Sequence, residues 1–205
     1  MTTTATEEVV LCDEEGRAIG TAPKATVHNA RTPLHLAFSC YVFDADARLL
    51  VTRRAVAKRT WPGVRTNTCC GHPGSGEAMA EAVSRRLRGE LGLSVPDLRL
   101  VLPRFRYRAE MADGTVENEL CPVWTATVDR GVTGPDATPD TAPDPDEVGA
   151  AWWQPWPDFV AAAADAADPL SPWALVQLPQ LVALGPEPLR WPTADLAELP
   201  AAARR

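Results

Sequence analysis

Apolar and polar positions alternate in short runs along much of this chain, which predicts β-strands. Runs rich in β-branched and aromatic residues cover 9–20, 34–52, 98–110 and 116–128, with polar turns at 13–16, 44–47 and 113–114. An Ala-rich stretch at 158–166 and a run at 173–184 predict helices near the end of the chain. Strands and helices mixed in this way predict an α/β protein.

One stretch, TNTCCGHPG, stands out because it brings two thiols and an imidazole close together in the sequence. Residues 64–70 alternate in polarity, which predicts a strand whose side chains point to opposite faces with period two. Cys69 and Cys70 should therefore face opposite ways, with Thr66 and Thr68 on the Cys70 face. The Gly/Pro turn that follows holds His72 two residues after Cys70 and therefore beside it.

Helical spacing begins after that turn. Four apolar residues recur on one stripe, namely Ala80, Val83, Leu87 and Leu91. They predict a helix from about Glu77 to Leu91, with Gly92 placed to end it. Arg86 and Glu90 lie four residues apart on one flank of this helix, where they form either an ordinary ion pair or part of a site.

Composition limits the possible classes of function. A chain of 205 residues with 45% apolar content can bury the core of one domain, and no stretch approaches the length of a membrane span. Five cysteines without a CxxC pair, and an N-terminus without a signal pattern, indicate the cytoplasm. A net charge of −7 argues against nucleic-acid binding. We expect a monomer with neither a membrane nor a nucleic acid as partner.

The basic residues of this acidic chain cluster in one place. Arg53, Arg54, Lys58 and Arg59 crowd a loop that ends at Trp61. Such a cluster is either a solvated basic loop or a clamp for phosphate oxygens, and its position just before the helix of 77–91 leaves both interpretations open.

Two carboxylates, Glu117 and Glu119, lie two residues apart in a predicted strand. Side chains at that spacing share a face, roughly 6 to 7 Å apart along the backbone. Like charges so placed either stay in solvent or share a cation. The neighbouring strand with Tyr107 and the apolar residues that follow, including Trp124, favour a buried shared cation.

The histidines extend this possibility. The chain has three, His28, His35 and His72, and their spacing alone is a weak metal signal. Together with Glu117 and Glu119 they would form a site of three nitrogens and two carboxylates, suited to Mn²⁺, Zn²⁺ or Mg²⁺.

Two segments carry no candidate chemistry. Residues 133–146, TGPDATPDTAPDPD, are rich in Pro and Asp and lack apolar periodicity, which predicts a mobile surface loop inside a single domain of residues 1–184. Residues 185–205 are broken by prolines, and we expect a peripheral tail.

The helix of 77–91 and its flanks resemble the Nudix box, a loop–helix–loop that holds a divalent metal against a diphosphate. Gly71, Glu77 and Gly92 stand at the expected spacing. However, Arg85-Arg86 and Gly89-Glu90 replace the Arg-Glu and Glu-Glu pairs of Nudix hydrolases. With fewer carboxylates to hold several metals, the sequence favours diphosphate binding over diphosphate hydrolysis.

A wider set of motifs is similar to type I isopentenyl-diphosphate isomerases. RTPLHLAFS, LLVTRRA, WPG, TNTCCGHP, RGELG, FRYRA, ENELCPV and SPW occur here in the order and at the spacing of that family, between about Val9 and Leu184. TNxxCGHP followed by ENExCPV is far more specific than the Nudix box alone. The resemblance implies a Nudix-like α/β/α sandwich with a mixed β-sheet.

The resemblance also implies roles for individual residues. Cys70 and Glu119 would be the catalytic pair, assisted by Tyr107 and Trp173. One divalent metal would be held by His28, His35, His72, Glu117 and Glu119. Mg²⁺ would bind with the substrate diphosphate to Glu90 and to the main-chain carbonyl of Cys70. The substrate diphosphate would contact Lys24, Arg54, Lys58 and Arg86.

The chemistry of this family agrees with such a site. Moving a double bond from C3–C4 to C2–C3 needs a proton delivered to C4, a proton removed from C2, and protection of the tertiary carbocation between them from water. Trp173 could stabilise the cation with its ring face or be an ordinary core aromatic. Positive charge near Cys70 should favour its thiolate, whereas Cys69 should pack as a small apolar residue. The alternatives are a Nudix diphosphate hydrolase and a non-catalytic, metal-dependent diphosphate-binding protein.

Overall fold

A computed structural model describes residues 7–128 and 141–204. Its strands are β1 (Glu8–Cys12), β2 (Ala18–Pro23), β3 (His35–Leu36), β4 (Phe38–Asp44), β5 (Arg48–Arg54), β6 (Arg65–Thr66), β7 (Cys69–Gly71), β8 (Leu98–Leu102), β9 (Arg106–Glu110), β10 (Val116–Leu120), β11 (Val123–Val128) and β12 (Val148–Pro155). Its α-helices are α1 (Lys24–Val27), α2 (Met79–Leu91), α3 (Trp156–Ala161) and α4 (Pro172–Ala183).

These strands form two mixed sheets. The first has five strands in the order β2-β1-β3-β10-β9. The second has seven, in the order β12-β5-β4-β11-β8, with β6 paired to β5 and β7 paired to β4. The pairs β3/β10 and β4/β11 are parallel, and the other pairs are antiparallel.

The seven-stranded sheet lies between two helical layers. Alternate side chains of β4 enter different apolar cores, as period two requires. Phe38, Cys40 and Val42 pack with the buried stripe of α2, and Tyr41 and Phe43 pack with residues of α3 and α4. This arrangement confirms the predicted α/β/α sandwich with a mixed sheet, and the five-stranded sheet is an addition to it.

The predicted strands at 98–110 and 116–128 are each divided between the two sheets. The interruptions contain Pro103 and Pro122. Because proline lacks an N–H for the ladder and fixes φ, a central strand does not continue through it. The junction of β3 and β4 passes between the two sheets beside the junction of β10 and β11. Ala37 N–H donates to the Leu120 carbonyl (2.9 Å) and Ser39 N–H to the Pro122 carbonyl (3.1 Å).

The strand predicted at 64–70 is also divided, into β6 and β7. Cys69 and Cys70 pack against different apolar cores, as predicted. The prediction that Thr66 and Thr68 share the Cys70 face holds for Thr66, whose Oγ1 contacts Ser171 Oγ (2.8 Å) and Asn67 Oδ1 (2.8 Å), the atom that Cys70 Sγ also contacts. It was wrong for Thr68, whose Oγ1 donates to the Leu50 carbonyl (2.6 Å), because the chain leaves the strand geometry between the two threonines.

The helix that carries Glu90 begins slightly later than the sequence predicts. Ala78 is extended, so α2 starts at Met79, and Gly92 ends it in the left-handed region with φ of 68°. Glu77 lies in the preceding turn, where its carboxylate accepts hydrogen bonds from Gly74 N–H (2.8 Å) and from Arg85 Nε (2.7 Å). The carboxylate therefore fixes the turn onto the first half of the helix.

The described end of the Pro/Asp-rich loop is attached to α2. Ala142 N–H donates to the Leu91 carbonyl (2.9 Å) and Asp144 N–H to the Glu90 carbonyl (2.9 Å), which satisfies carbonyls left free at the helix end. Residues 133–140 of the predicted mobile loop lie outside the described residues. Glu147 follows directly and its carbonyl accepts from Ala55 N–H (3.0 Å).

The prediction of a peripheral tail at 185–205 was wrong for the described part of that segment. Trp191, Leu199, Ala202 and Ala203 are buried, and Trp191 belongs to the same core as α4. Large apolar side chains gain most by leaving water, so they outweigh the prolines that suggested an outlying tail. Across the described residues, no helix has the length and apolar character needed to span a membrane.

Candidate functional site

A pocket of about 540 Å³ opens where the two sheets meet α1, α2 and α4. Eleven of the thirteen side chains singled out from the sequence line it, namely Lys24, His28, Arg54, Lys58, Cys70, His72, Arg86, Tyr107, Glu117, Glu119 and Trp173. The other two are His35, fully buried among the histidines described below, and Glu90, which lines a small side pocket shared with Arg54, Lys58 and Cys70.

Three imidazoles surround one carboxylate at the buried end of this pocket. Glu119 Oε1 lies 3.0 Å from His72 Nε2, 3.5 Å from His35 Nε2 and 3.8 Å from His28 Nε2. The parallel pairing of β3 with β10 places His35 directly beside Glu119. Four potential ligand atoms, one from each residue, lie within 4.8 Å of one another.

The donor atoms of this cluster fit a divalent metal. His28 Nε2 and His35 Nε2 are buried, and neither has a hydrogen-bond partner in the described parts of the chain. His35 Nδ1 faces the Pro33 carbonyl at 3.0 Å, which assigns the proton to that nitrogen and leaves the Nε2 lone pair directed into the cluster. Buried, unpartnered imidazole nitrogens beside a carboxylate are the donors that Zn²⁺ and Mn²⁺ bind.

Glu117 occupies a different place from the other predicted ligands. Its carboxylate is not among the four converging groups but lies 2.7 Å from Tyr107 Oη, which is 2.9 Å from Glu119 Oε2. A phenol carries a single O–H, so it can donate to only one carboxylate at a time. The second hydrogen bond therefore requires a proton on one of the two glutamates.

Electrostatics indicate which glutamate holds that proton. Burial disfavours charge on Glu119, but the three surrounding imidazoles outweigh it and hold its pKa well below the usual range. Burial and the charge of Glu119 raise the pKa of Glu117. Burial also lowers the pKa of His72 to about 4, which keeps the ring neutral as a metal ligand must be.

Cys70 lines the same pocket as this group. Its Sγ is 3.4 Å from Ser39 Oγ and 3.3 Å from Asn67 Oδ1. Burial raises the pKa of this thiol to about 12. Desolvation outweighs the nearby positive charge of Arg54 in this shift, and the thiolate expected beside a metal-bound His72 and bound Mg²⁺ stays a prediction.

Trp173 closes the apolar side of the pocket. Its ring lies 6.0 Å from the Tyr107 ring and 5.9 Å from the Trp61 ring, measured between centroids. The Arg54 guanidinium carbon is 5.4 Å from its centroid. Trp173 is thus both a buried core residue and a wall of the site, which unites the two interpretations of the sequence.

The predicted diphosphate-binding cations already have partners. Lys24 Nζ lies 2.6 Å from Glu7 Oε2. Lys58 forms an ion pair with Glu147, and Arg86 pairs with Glu90 and lies 3.4 Å from Glu147 Oε2. These carboxylates neutralise the charge of the three cations.

Arg54 differs from the other three because its partners are neutral. It donates from Nη2 to the Thr60 carbonyl (2.8 Å) and hydroxyl (3.1 Å).

Glu90 accepts a further hydrogen bond from the Cys69 thiol, with Sγ 3.5 Å from Oε2. Cys69 is buried as predicted, but its thiol borders the predicted Mg²⁺ ligand and does more than fill space.

Sequence reasoning missed several residues at the site. Glu147 follows a segment without periodicity, and only its hydrogen-bonded attachment to α2 brings it to the cations. Asn67 and Ser39 contact Cys70 but carry no charge, so nothing in their pattern marked them. For Asn67, the one signal in the sequence was its position inside the TNTCCGHP motif.

Comparisons with known proteins show the family. The NUDIX domain family matches residues 33–174, so the fold is that of a Nudix-domain protein. The isopentenyl-diphosphate Delta-isomerase of Saccharopolyspora erythraea is 54% identical over 96% of this chain and 97% of its own length. Its counterpart from Rhizobium rhizogenes is 48% identical over 97% of this chain and 91% of its own length. The chain therefore belongs to the isopentenyl-diphosphate Delta-isomerase family.

Solved structures support the fold alone. The crystal structure of DR0079 from Deinococcus radiodurans is similar with a TM-score of 0.64 at 18% identity, covering 85% of this chain and 98% of that protein. A MutT NUDIX hydrolase from Burkholderia pseudomallei has a TM-score of 0.51 at 21% identity, covering 72% of this chain and 98% of its own.

Proposed function

We propose that this chain interconverts isopentenyl diphosphate and dimethylallyl diphosphate in isoprenoid biosynthesis. One observation carries the proposal, namely that a single pocket joins a cationic end to a buried end with proton-transferring groups. The cationic end presents Lys24, Arg54, Lys58 and Arg86, and the buried end presents Cys70, Tyr107, Glu119 and Trp173. A five-carbon alkenyl diphosphate has the same division into a charged head and an apolar tail.

The cationic end would bind the diphosphate. Lys58 and Arg86 would exchange their carboxylate partners for phosphate oxygens, which suit Arg as a planar donor and Lys as a point charge. Mg²⁺ would be held with the diphosphate by Glu90 and the main-chain carbonyl of Cys70, since oxygen ligands are those that Mg²⁺ prefers.

The buried end would hold a second divalent metal, Mn²⁺, Zn²⁺ or Mg²⁺, on His28, His35, His72 and Glu119, with Glu117 as a further candidate ligand. When bound, such a metal supplies positive charge that polarises the Glu119 carboxyl group. The imidazoles orient that carboxyl group, and Tyr107 fixes its other oxygen.

Proton transfer would then divide between the two walls. The Glu117–Tyr107–Glu119 chain donates a proton to C4, where the π electrons of the substrate form the new C–H bond and leave a tertiary cation at C3. Cys70 accepts a proton from C2, and the C–H electron pair becomes the C2–C3 double bond. Only the thiolate form of Cys70 can accept this proton, and the nearby positive charge of Arg54 favours that form.

The aromatic side chains would protect the cation between these steps. Trp173 and Tyr107 are almost fully buried and their rings lie near the reacting groups. They exclude water that would otherwise trap the cation, and a ring face stabilises a desolvated cation by about 2 kcal/mol.

The setting of this activity is part of the proposal. Five unpaired cysteines suit a reducing compartment, and we propose that the chain acts in the cytoplasm as a monomer on a small-molecule substrate.

An isotope experiment tests the reaction. The chain is incubated with isopentenyl diphosphate and Mg²⁺ in D₂O, and the product is examined by NMR. We expect dimethylallyl diphosphate with one deuterium in the methyl group derived from C4, and none of this product with Glu119→Gln.

Two other outcomes would replace the proposal. Release of inorganic phosphate or monophosphate from diphosphate substrates would assign a Nudix hydrolase. Saturable binding of isopentenyl diphosphate without deuterium at C4 would assign a non-catalytic, metal-dependent diphosphate-binding protein.

A further inference from the structure

The amide of Asn67 is completely enclosed between β6 and β7. Its Nδ2 donates to the Cys40 carbonyl (3.0 Å) and to the Cys69 carbonyl (2.9 Å). Only the nitrogen of the amide can meet two carbonyl acceptors, so these contacts fix the orientation of the group. Asn67 Oδ1 must therefore point away from the sheet backbone.

On that other side, the oxygen meets the proposed reaction site. Trp173 Nε1 donates to Asn67 Oδ1 at 2.9 Å, and Cys70 Sγ lies 3.3 Å from the same atom. An indole N–H is a donor only, which independently supports the assigned orientation. Thr66 Oγ1 completes the contacts at 2.8 Å.

One amide oxygen thus joins two walls of the pocket that come from distant parts of the sequence. Cys70 belongs to β7 and Trp173 to the start of α4. The Trp173 ring lies beside Tyr107, which bonds both glutamates, and beside the Arg54 guanidinium. A displaced indole would therefore disturb both ends of the pocket.

We propose that Asn67 is a positioning residue that holds the Cys70 thiol and the Trp173 indole in one fixed arrangement for proton transfer. Asn67 does not line the pocket and acts through these two side chains. The inference rests on the proposed isomerase function for its kinetic consequence but not for the contact itself. Small errors in the placement of reacting groups cost about 10²-fold in rate, so the effect should fall on kcat.

Thr68 provides a matched control. It is equally buried, adjacent in sequence, and bonded to the sheet through the Leu50 carbonyl (2.6 Å) and Val42 N–H (2.9 Å). None of its hydrogen bonds reaches Cys70 or Trp173. Thr68→Val should lower Tm while keeping kcat within about 3-fold of the parent.

The first measurement is the kinetics of Asn67→Ala with isopentenyl diphosphate. We expect kcat to fall about 10²-fold and KM to stay within about 3-fold. Asn67→Asp keeps an oxygen facing Trp173 and Cys70, but its second carboxylate oxygen faces the Cys40 and Cys69 carbonyls, which repel it. The variant should therefore be less stable than Asn67→Ala and yet retain more turnover. Loss of Tm with unchanged kcat in Asn67→Ala would overturn the proposal, as would a kcat that simply follows Tm.

The second measurement does not depend on activity. In protein labelled with ¹⁵N-indole, the Trp173 N–H resonance is identified by its loss in Trp173→Phe. Its hydrogen exchange should accelerate at least about 10-fold in Asn67→Ala, while the Trp191 N–H, bonded to the Gly185 carbonyl (2.8 Å), stays unchanged. Equal exchange of the Trp173 N–H in the parent protein and in Asn67→Ala would disprove the proposed positioning of Trp173 by Asn67.

These readouts separate the two levels of inference. A parent protein without isomerase turnover would refute the proposed function. The exchange rate of the Trp173 N–H alone would then test whether Asn67 positions Trp173. If Asn67→Ala does not fold, Asn67→Ser, with its shorter polar side chain, takes its place in both measurements with the same expectations.

Discussion

The two ends of the pocket are built in different ways. The buried end takes His35, Cys70, Tyr107 and Glu119 from strands, and His35 and Glu119 are 0% and 6% exposed. The cationic end takes Lys24 from a one-turn helix and Lys58 from a loop, with side chains 28% and 22% exposed. Sheet pairing fixes the first set before any ligand arrives, whereas the second set can change partners.

This difference separates chemistry from binding. Proton transfer requires accurate placement, which strands supply, and the metal-binding group is oriented by its neighbours in the same way. Diphosphate binding requires charge that can be released from a temporary partner, and the exposed Glu7 and the half-buried Glu147 supply such partners. The two ends should therefore respond differently to substitution.

The largest effect should come from removing the thiol at the buried end. Cys70→Ala should lower kcat by roughly 10³-fold or more, because a proton-transferring group contributes about 10² to 10⁴. Binding of inorganic pyrophosphate with Mg²⁺ should change little, since the cations and Glu90 remain. Isotope exchange and calorimetry measure the two quantities.

Cys69→Ala is the internal control for that experiment. It should keep most of its turnover, because the Cys69 thiol makes only one long contact with Glu90 (Sγ to Oε2, 3.5 Å), and lose roughly 1 kcal/mol of stability, as for a small buried truncation. An epoxide analogue of isopentenyl diphosphate should label Cys70 and spare Cys69. Label on Cys69 would mean that the reacting face has been assigned incorrectly.

Metal content should distinguish the two ends next. His72→Ala removes one of four converging ligands and should weaken the affinity for the divalent metal by at least about 10-fold. Less metal should therefore remain bound after dialysis. Glu90→Gln should keep that metal and weaken Mg²⁺-dependent substrate binding instead. The reverse pattern of metal content would show that the two sites have been interchanged.

The smallest effect should come from the temporary partner at the cationic end. Glu147→Gln removes a negative charge that competes with phosphate for Lys58 and Arg86. We expect inorganic pyrophosphate to bind roughly 3-fold more tightly, in line with the modest strength of partly exposed ion pairs. Isothermal titration at two salt concentrations measures the change.

Glu14→Gln provides a charge-matched control for this prediction. Glu14 pairs with Arg106 on the surface, and neither residue lines the pocket. Its removal should leave pyrophosphate affinity unchanged. Weaker binding in Glu147→Gln would instead identify Glu147 as part of the Mg²⁺ site.

The sequence by itself determined much of this protein because several signals are local. Helical spacing located α2 to within two residues of its start, and Gly92 marked its end. Period two separated the faces of Cys69 and Cys70, and the spacing of Glu117 and Glu119 placed both on the pocket side. The motifs around these residues were specific enough to indicate the family.

Only the tertiary structure decided how these pieces meet. Pro103 and Pro122 divide two apparent strands between sheets, and the tail contributes Trp191 to the core. Asn67 and Glu147 reach the site through hydrogen bonds to partners far away in sequence. The periodicity of apolar and polar residues does not predict such contacts. Burial is likewise a collective property of the packed chain, so the raised pKa of Cys70 followed from its enclosure and not from its charged neighbours.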